Sequence, residues 1–193
     1  MLTDLTSSLR PAVVMTGLFF ALTGLAYPLA ITGVAQALFP AAANGSLVYR
    51  QGAPVGSALI AQGFARADYF HPRPSAAGKG YDATASSGTN YAPTAKALAD
   101  RVRADVAANP GAPADMLTTS ASGLDPHISP EAALWQAPQV AAARHMPVTL
   151  VNRLVARHTE GRFAGFLGEP RVNVLELNLA LDTMARGEAH TTP

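Results

Sequence analysis

The chain of 193 residues contains no cysteine, few charged residues and few aromatic residues. The lack of cysteine excludes disulfides, thiolate catalysis and cysteine-ligated zinc or iron–sulfur sites. Charged residues make up 14% of the sequence and the formal net charge is +1. This balance argues against a basic surface for nucleic acid or for an anionic membrane face. Aromatic residues make up only 7%, which predicts a core of small aliphatic side chains.

One long apolar segment, residues 11–39, contains no charged side chain. A bilayer core is about 30 Å thick and needs roughly 20 apolar helical residues, so this segment predicts a transmembrane helix. The small residues Ala41-Ala42-Ala43 resemble the cleavage site of a secretory signal. Signal cores, however, run to about 7–15 residues. We therefore favour an uncleaved anchor in the lipid bilayer over a cleaved signal, and either interpretation exports the remaining chain.

The charges that flank this helix predict its orientation. Residues 1–10 carry Arg10 and the free amine against Asp4, and the first charged residue after the helix is Arg50. The positive-inside rule then favours a cytoplasmic N-terminus and an extracytoplasmic domain over residues 40–186. The chain would cross the membrane once.

Small residues are expected to line one stripe of the predicted membrane helix. Gly17, Ala21, Gly24 and Pro28 follow one another at intervals of four, three and four residues. Small side chains let another helix approach closely, so the stripe predicts docking on other membrane helices. Pro28 lacks a backbone donor and is expected to kink the helix. The alternative is that glycine and proline are simply common in membrane helices.

The exported part shows three strand-like segments. Residues 46–50 and 57–61 flank glycine and proline residues at 52–56, which predicts a β-hairpin. Leucines alternate with other residues over 175–182, which predicts a further strand paired with this hairpin. The fold class expected is therefore α+β: a single N-terminal transmembrane helix followed by one exported domain with a small antiparallel sheet and several helices.

Loops and helices fill the rest of the exported part. Residues 63–93 are polar and lack apolar periodicity, which predicts a long loop, and loops of that length tend to be functional. A helix over 94–108 is expected, with Thr94 as its cap. Its predicted buried line consists of Leu98, Val102 and Val106. Residues 115–125 are expected to form a polar loop.

Proline residues mark the helices that follow. Ser129, then proline and glutamate, is the pattern of a helix start. Pro138 and Pro147 are expected to divide the region into short helices. The last of these is expected to run to Glu160, and the tail over residues 187–193 is expected to fray.

The long loop contains the groups of a nucleophilic triad. His71, Asp82 and either Ser86 or Ser87 could serve as base, orienting acid and nucleophile. Neither serine lies in the G-x-S-x-G turn that exposes a nucleophile between a strand and a helix. A membrane-anchored periplasmic hydrolase that uses His71 with Ser86 or Ser87 therefore remains an alternative. The other interpretations are hydrogen bonds that order the loop, and contacts with a partner.

A second polar segment, residues 122–130, contains Asp125 and His127. Both side chains can coordinate a metal, but two ligands without a third at recognisable spacing do not make a site. The alternative is that Asp125 braces a turn and His127 packs at the start of a helix. No metal site is predicted.

The order of motifs along nearly the whole chain is distinctive. The motifs are Gly17 with Tyr27-Pro28, Gly56-Ser57-Ala58-Leu59-Ile60, Tyr69-Phe70-His71-Pro72-Arg73-Pro74-Ser75, Ser86-Ser87-Gly88-Thr89-Asn90, Ser122-Gly123-Leu124-Asp125-Pro126-His127-Ile128-Ser129-Pro130, Gly161-Arg162 and Gly168-Glu169-Pro170-Arg171-Val172-Asn173-Val174-Leu175. Each motif is weak by itself, but the series resembles KdpC, the C-subunit family of bacterial Kdp-type potassium-transporting ATPases.

The resemblance implies a non-catalytic accessory subunit of a high-affinity, ATP-driven potassium importer. It implies three partners: a channel-like subunit that selects potassium, a P-type ATPase subunit and a small single-helix subunit. It also implies a catalytic chaperone that stabilises the complex and raises the affinity of the ATPase subunit for ATP. ATP would act through that partner, and no cofactor is expected on this chain. The predicted membrane helix has no acidic, basic or histidine residue, and so offers no ion path.

The two polar segments are the candidate partner interface. We expect them to contact the outer face of the channel-like subunit. The candidate residues are Tyr69, His71, Arg73, Ser75, Asp82, Ser86, Asn90, Asp125 and His127.

Overall fold

The computed structural model describes the backbone of residues 2–185 and the side chains of residues 6–184. The predicted tail at 187–193 lies outside the described residues. The chain divides between Leu47 and Val48 into two compact units.

The N-terminal unit is dominated by one long helix. It comprises α1 (Leu2–Phe19), a π-helical segment (Phe20–Ala26) and α2 (Tyr27–Leu38). Within it, Thr6–Leu38 is long and apolar enough to cross a membrane, and none of its most apolar stretch is buried in the protein. The predicted N-terminal apolar helix is confirmed.

The helix is irregular just before Pro28. The backbone N–H of Tyr27 donates to the carbonyl of Leu22, the i→i−5 bond of a π-helix. The hydroxyl of Thr23 donates to the carbonyl of Phe19 at 2.7 Å. These π-helical turns precede Pro28 and interrupt the 3.6-residue period of the helix, and the kink predicted at Pro28 stays a prediction.

A short helix closes the N-terminal unit. Helix α3 (Pro40–Ala43) follows α2 directly. The side-chain amide of Asn44 donates to the Gln36 side chain at 3.1 Å and to the Pro40 carbonyl at 2.7 Å. These bonds fix the end of α2 against the residues that follow it.

The predicted hairpin is present, with its second strand earlier than expected. Strands β1 (Leu47–Arg50) and β2 (Ala53–Ser57) form a two-stranded sheet. The turn consists of Gln51 and Gly52, with φ of 52° and 82°. Two successive positive φ angles are typical of the tight hairpin turns that match strand twist. Residues 57–61, predicted as the second strand, therefore lie mostly after it.

The long loop is irregular, as predicted, apart from the 3-10 turn Ala83–Ala85. Helix α4 (Lys96–Ala108) follows, with Ala95 rather than Thr94 at its cap. No residue of α4 is buried, so the predicted buried line was wrong. Helix α4 contacts α5 (Ala114–Leu117), a single helical turn within the segment predicted as loop. A partner of a single turn is too short to cover a full face of α4.

Helix α6 (Pro130–Ala143) begins as predicted. The Ser129 hydroxyl accepts a hydrogen bond from the Ala132 N–H at 2.9 Å, and proline occupies the first helical position. Pro138 does not divide this helix, contrary to expectation. Because Pro138 and Leu134 are both exposed, the carbonyl that loses its helical donor faces solvent and not the core.

Helix α7 (Val148–Arg157) begins after Pro147, as predicted. It ends three residues earlier than expected, because Thr159–Glu160 forms strand β4. The residues that it buries are Val151, Leu154 and Val155.

The strand predicted over 175–182 was wrong, because these residues belong to helix α8 (Val174–Ala185). The buried residues of α8 are Val174, Leu175, Leu177, Asn178 and Leu181. This set recurs at intervals of three and four residues, which is the helical period. A strand with alternating leucines on its buried face would place Asn178 on the exposed face. Asn178 is instead buried, which is why the alternation predicted the wrong element.

A second small sheet stands in place of the predicted pairing. Strands β3 (His127–Ile128), β5 (Arg171–Asn173) and β4 lie in the order β3-β5-β4, and both pairs are antiparallel. His127 lies opposite Asn173, and Thr159 lies opposite Val172. The α+β class is thus confirmed. The hairpin lies near its predicted segments, whereas the strands of the second sheet come from segments that were not predicted as strands.

The core lies among α6, α7, α8 and β5. It consists of small aliphatic side chains, as the composition predicts, and one ring from the long loop, Phe70, which is fully buried. The core residues are Phe70, Ile128, Ala132, Ala133, Ala137, Val140, Ala141, Val151, Leu154, Val155, Val172, Val174, Leu177 and Leu181.

Candidate functional site

Two buried side-chain amides hold the long loop against the core. The Phe70 N–H donates to the Asn178 side-chain oxygen at 2.8 Å, and the Asn178 amide donates back to the Phe70 carbonyl at 2.9 Å. Gln136 makes the same pair of bonds with His71, at 2.8 and 3.1 Å. This amide clasp (Asn178 and Gln136 on Phe70 and His71) replaces the strand partner that an extended segment would otherwise need.

Arg73 joins the long loop to the second polar segment. Its guanidinium lies 3.2 Å from the carboxylate of Asp125 and donates to the Thr118 carbonyl at 3.4 Å. The side chains of Arg73 and Asp125 are each about one quarter to one third exposed. Two of the candidate interface residues, Arg73 and Asp125, therefore form an ion pair with each other.

Asp125 also faces His127. Its carboxylate accepts the His127 backbone N–H at 3.0 Å, and the imidazole Nδ1 lies 3.7 Å away. The His127 side chain is the main influence that lowers the pKa of Asp125; burial opposes it, and Arg73 adds to it. The brace expected of Asp125 in this turn is present.

Ser75 ties the same two segments together. Its hydroxyl donates to the Gly123 carbonyl at 2.6 Å and accepts the backbone N–H groups of Ala77 and Tyr81 at 3.1 and 2.8 Å. The Tyr81 hydroxyl donates to the Arg73 carbonyl at 2.9 Å, and burial raises the pKa of Tyr81. The Ser75 oxygen is thus committed to three bonds within the chain.

Gly123 permits this close approach. Its φ is +67°, and a Cβ there would lie 2.6 Å from the Ser87 carbonyl oxygen and 2.7 Å from the Ala77 nitrogen. Both neighbours are backbone atoms, so glycine is the residue that fits this position.

The two serines of the proposed triad are used for loop structure. The Ser86 hydroxyl donates to the Ser122 carbonyl at 3.0 Å, and the Ser87 hydroxyl donates to the Gly88 carbonyl at 2.9 Å. Among the described side chains, neither serine is hydrogen-bonded to His71. The hydrolase alternative therefore lacks the nucleophile–base contact that it needs.

Asp82, Ser86 and Asn90 are the exposed members of the candidate interface. The Asp82 carboxylate accepts the Thr84 N–H at 2.9 Å and its hydroxyl at 2.7 Å, and these bonds lower the pKa of Asp82. Asn90 adopts a φ of 53°, which asparagine tolerates better than most residues. These three side chains are accessible to a partner, whereas the other candidates are at least partly buried.

A charged cluster that the sequence did not reveal surrounds Asp182. Its carboxylate accepts Arg144 at 2.8 Å, Arg50 at 2.6 Å and the Tyr69 hydroxyl at 3.0 Å. The Arg144 guanidinium also stacks 4.7 Å from the centre of the Tyr69 ring. Burial acts to raise the pKa of Asp182, but the bonds from Arg144, Arg50 and Tyr69 outweigh it and lower that pKa. We call these four residues the Asp182 cluster.

The described side chains do not form a metal site. Within residues 6–184, no three histidine, aspartate or glutamate residues group closely enough to hold a metal ion. Asp125 and His127 remain a pair, and Asp125 is already bonded to Arg73.

Gly17 and Gly24, two of the four candidate packing residues on the apolar helix, have different surroundings. Gly17 has no atom within 4 Å of where a Cβ would be, and it lines a shallow groove with Ala12, Val13, Thr16 and Phe20. A Cβ on Gly24 would instead lie 3.8 Å from the Phe20 ring. Because π-helical turns separate Gly17 from Pro28, their alignment on one stripe does not follow from regular spacing.

Comparison with known proteins finds similarity to one family over most of the chain. A family model described as "KdpC: K+-transporting ATPase, c chain" matches residues 9–183. A Potassium-transporting ATPase KdpC subunit of Caulobacter sp. is 56% identical over 191 residues, 95% of this chain and 96% of its own length. The proteins of the same name from Bradyrhizobium diazoefficiens and Caulobacter vibrioides are 54% and 58% identical, over 92% and 91% of this chain and 97% and 93% of their own lengths. The chain therefore belongs to the KdpC family, the C chains of potassium-transporting ATPases.

Proposed function

We propose that the chain is a non-catalytic accessory subunit that stabilises a high-affinity, ATP-driven potassium import complex. The observation that carries this proposal is the family match over residues 9–183, supported by relatives that align along nearly their full length. The internal bonding of Ser86 and Ser87 supports a non-catalytic role, because it leaves the candidate nucleophiles without a base.

The proposed partners are the channel-like potassium-binding subunit, the P-type ATPase subunit and the small single-helix subunit. The apolar helix supports a place among them in the membrane, since all of its described side chains but Ala35 are exposed along Thr6–Leu38. With Arg10 and the free amine before the charge-free segment 11–39 and Arg50 after it, we infer a cytoplasmic N-terminus in the bacterial inner membrane. The domain that follows is then extracytoplasmic.

This orientation constrains how the chain affects ATP binding. ATP is cytoplasmic, and only residues 1–10 of this chain would lie on that side. We infer that the chain raises the ATP affinity of the ATPase subunit indirectly, by favouring one conformational state of the complex. Residues 11–39 carry no acidic, basic or histidine side chain, which supports a role other than ion conduction.

The experiment is co-expression with the three partners and purification of the complex in detergent. We expect the chain to co-purify, and we expect the KM for ATP of the ATPase activity to rise about fivefold or more when the chain is omitted. Calorimetry on the full chain alone should show no ATP binding in the micromolar range. Tight binding of ATP to the isolated chain would contradict the indirect mechanism, and failure to co-purify would contradict the accessory role.

A further inference from the structure

A cavity between α7 and α8 combines apolar side chains with two arginines. Its volume is about 140 Å³. Leu150 and Leu154 of α7 and Met184 of α8 form its apolar part, and Arg153 and Arg157 of α7 form its charged part. Both arginines are exposed, whereas Leu154 is buried. We call these five residues the arginine cavity.

The two arginines of the cavity differ from the others of this domain in their charge pairing. Every other arginine of residues 48–184 lies within 3.9 Å of a carboxylate oxygen. Among the described side chains, Arg153 and Arg157 have no such partner. They also lie one helical turn apart, where like charges repel. Two unpaired guanidiniums in a domain that pairs the rest indicate an anionic ligand.

The two kinds of side chain in the cavity match the two parts of a phospholipid. A guanidinium binds a phosphate through two parallel N–H donors, and the apolar side chains can pack against hydrocarbon. An extended peptide would instead bring backbone N–H and C=O groups, which Leu150, Leu154 and Met184 cannot hydrogen-bond. A helical peptide satisfies its own backbone, but its diameter of about 10 Å is too large for a cavity about the size of one that holds a single benzene molecule.

The membrane placement proposed above keeps such a ligand within reach of the cavity. Thr6–Leu38 is long and apolar enough to cross a membrane, and the unit that contains the cavity begins at Val48. So short a connection keeps the domain beside the bilayer in every orientation. A tethered site meets its ligand at a high effective concentration. The near-neutral composition argues against a broad basic surface, but one headgroup does not require such a surface.

We propose that the arginine cavity binds the headgroup of one anionic phospholipid of the bilayer in which the chain is anchored. The phosphate would lie between the guanidiniums of Arg153 and Arg157, with the first methylene groups of the lipid against Leu150 and Met184. An anionic headgroup such as phosphatidylglycerol lacks the ammonium group that neutralises phosphatidylcholine, so it balances the unpaired charge. The proposal rests on the membrane placement and adds a lipid contact for the extracytoplasmic domain.

The test places the full chain in nanodiscs of phosphatidylcholine with increasing phosphatidylglycerol. Ala156→Cys, at an exposed position between the two arginines, carries an environment-sensitive fluorophore, and the natural chain has no cysteine. We expect phosphatidylglycerol to change the emission. Arg153→Gln with Arg157→Gln should weaken the apparent affinity about tenfold or more. Because both side chains are exposed, the fluorescence of Trp135 should not change.

The matched control is Lys79→Gln, which removes one exposed cation outside the cavity. The single variant Arg153→Gln removes the same charge from the cavity. We expect Arg153→Gln to weaken the apparent affinity about fivefold and Lys79→Gln to leave it unchanged. Equal effects of the two variants would indicate a general attraction to anionic lipid and would overturn the inference.

Other occupants of the cavity give other results. If inorganic phosphate in pure phosphatidylcholine nanodiscs produces the emission change, the cavity binds a free anion and the lipid proposal is overturned. If the change requires the other subunits and occurs equally without phosphatidylglycerol, the occupant is a protein, and the proposal is overturned as well.

The failure of this inference and the failure of the proposed function are distinguishable. An emission that phosphatidylglycerol does not change would overturn this inference alone and leave the accessory role intact. Failure of the natural chain to enter nanodiscs would instead contradict the membrane placement, and this inference with it.

Discussion

At the scale of single residues, the Asp182 cluster joins segments that are far apart in the sequence. Asp182 on α8 receives Arg144 from the end of α6, Arg50 from β1 and Tyr69 from the long loop. The side chains of Arg144 and Asp182 are only 7% and 13% exposed. Removal of one partner from a buried charge pair is costly, because the other charge remains buried and unpaired.

We predict that Asp182→Asn destabilises the domain by about 3 kcal/mol at pH 7. Asp182 has a lowered pKa in the folded state, so its charge stabilises the fold above the unfolded pKa, near 3.9. This contribution is lost as the pH falls through the folded pKa. Urea unfolding of the full chain in detergent, followed by the fluorescence of its single tryptophan, measures the difference at each pH.

The matched control for this prediction is Asp100→Asn, which breaks exposed pairs on α4 with Lys96 and Arg103. Exposed pairs contribute little, so the control should change stability by less than about 0.5 kcal/mol. A cost of Asp182→Asn that is the same at pH 3 and at pH 7 would contradict the electrostatic explanation.

Residue roles were predictable from the sequence where the partner is local. Ser129 was identified as a cap because the N–H that it accepts lies three residues away. The brace made by Asp125 was identified for the same reason. The Asp182 cluster was not predictable, because its four members come from four separate segments and no spacing relates them.

At the scale of elements, the long apolar helix combines an open groove with irregular turns. Gly17 lies in the groove, and the π-helical segment Phe20–Ala26 begins a few residues later. Membrane helices associate through close packing at small residues, so this groove is the part of the helix best suited to a neighbouring helix.

We predict that Gly17→Leu fills this groove and reduces co-purification of the chain with its complex several-fold, with Gly24→Leu as a second variant. Leucine is a better helix former than glycine, so the helix itself should persist. The measurement is the amount of chain recovered per ATPase subunit after detergent purification.

Ala30→Leu, an equally exposed small residue of α2, is the control and should leave recovery unchanged. If Gly17→Leu and Ala30→Leu behave alike, the segment is only an anchor, and the frequency of glycine in membrane helices explains the sequence.

Elements were predictable where their period was unambiguous. The apolar helix, the start of α6 and the hairpin were each identified from local patterns. Helix α8 was not, because four leucines at alternate positions fit a strand, whereas the buried Asn178 shows the helical face. Its amide is satisfied by Phe70, more than a hundred residues earlier, and that contact cannot be read from the local sequence.

At the scale of the whole molecule, the two polar segments form one folded surface. Arg73, Ser75 and Gly123 hold residues 63–93 against residues 122–130, so the candidate interface predicted as two segments is bonded together. That these residues meet was not predictable from spacing. Arg73, Asp125 and His127 bond to each other, and most of the other candidates bond elsewhere within the chain. The side chains left for a partner are the exposed ones, such as Asn90.

We predict that Asn90→Cys crosslinks to the channel-like subunit in the assembled complex. The natural chain has no cysteine, so the introduced thiol is unique. Ser75→Cys is a poorer probe than the sequence suggests, because the Ser75 hydroxyl makes three internal bonds. The measurement is a crosslinked band identified by mass spectrometry after treatment with a thiol-reactive reagent.

The control position is Arg157→Cys, exposed at the end of α7. Crosslinks from both positions in equal yield would indicate nonspecific reaction. The absence of an Asn90 crosslink in an intact, active complex would contradict the placement of this surface on the channel-like subunit.

The amide clasp ties one point of the long loop to the core. Phe70 and His71 are held by Asn178 on α8 and Gln136 on α6, so these two residues cannot detach without breaking buried bonds to both helices. We therefore expect their amide hydrogens to exchange with solvent as slowly as those of the helices that hold them, although the residues themselves lie in an irregular segment.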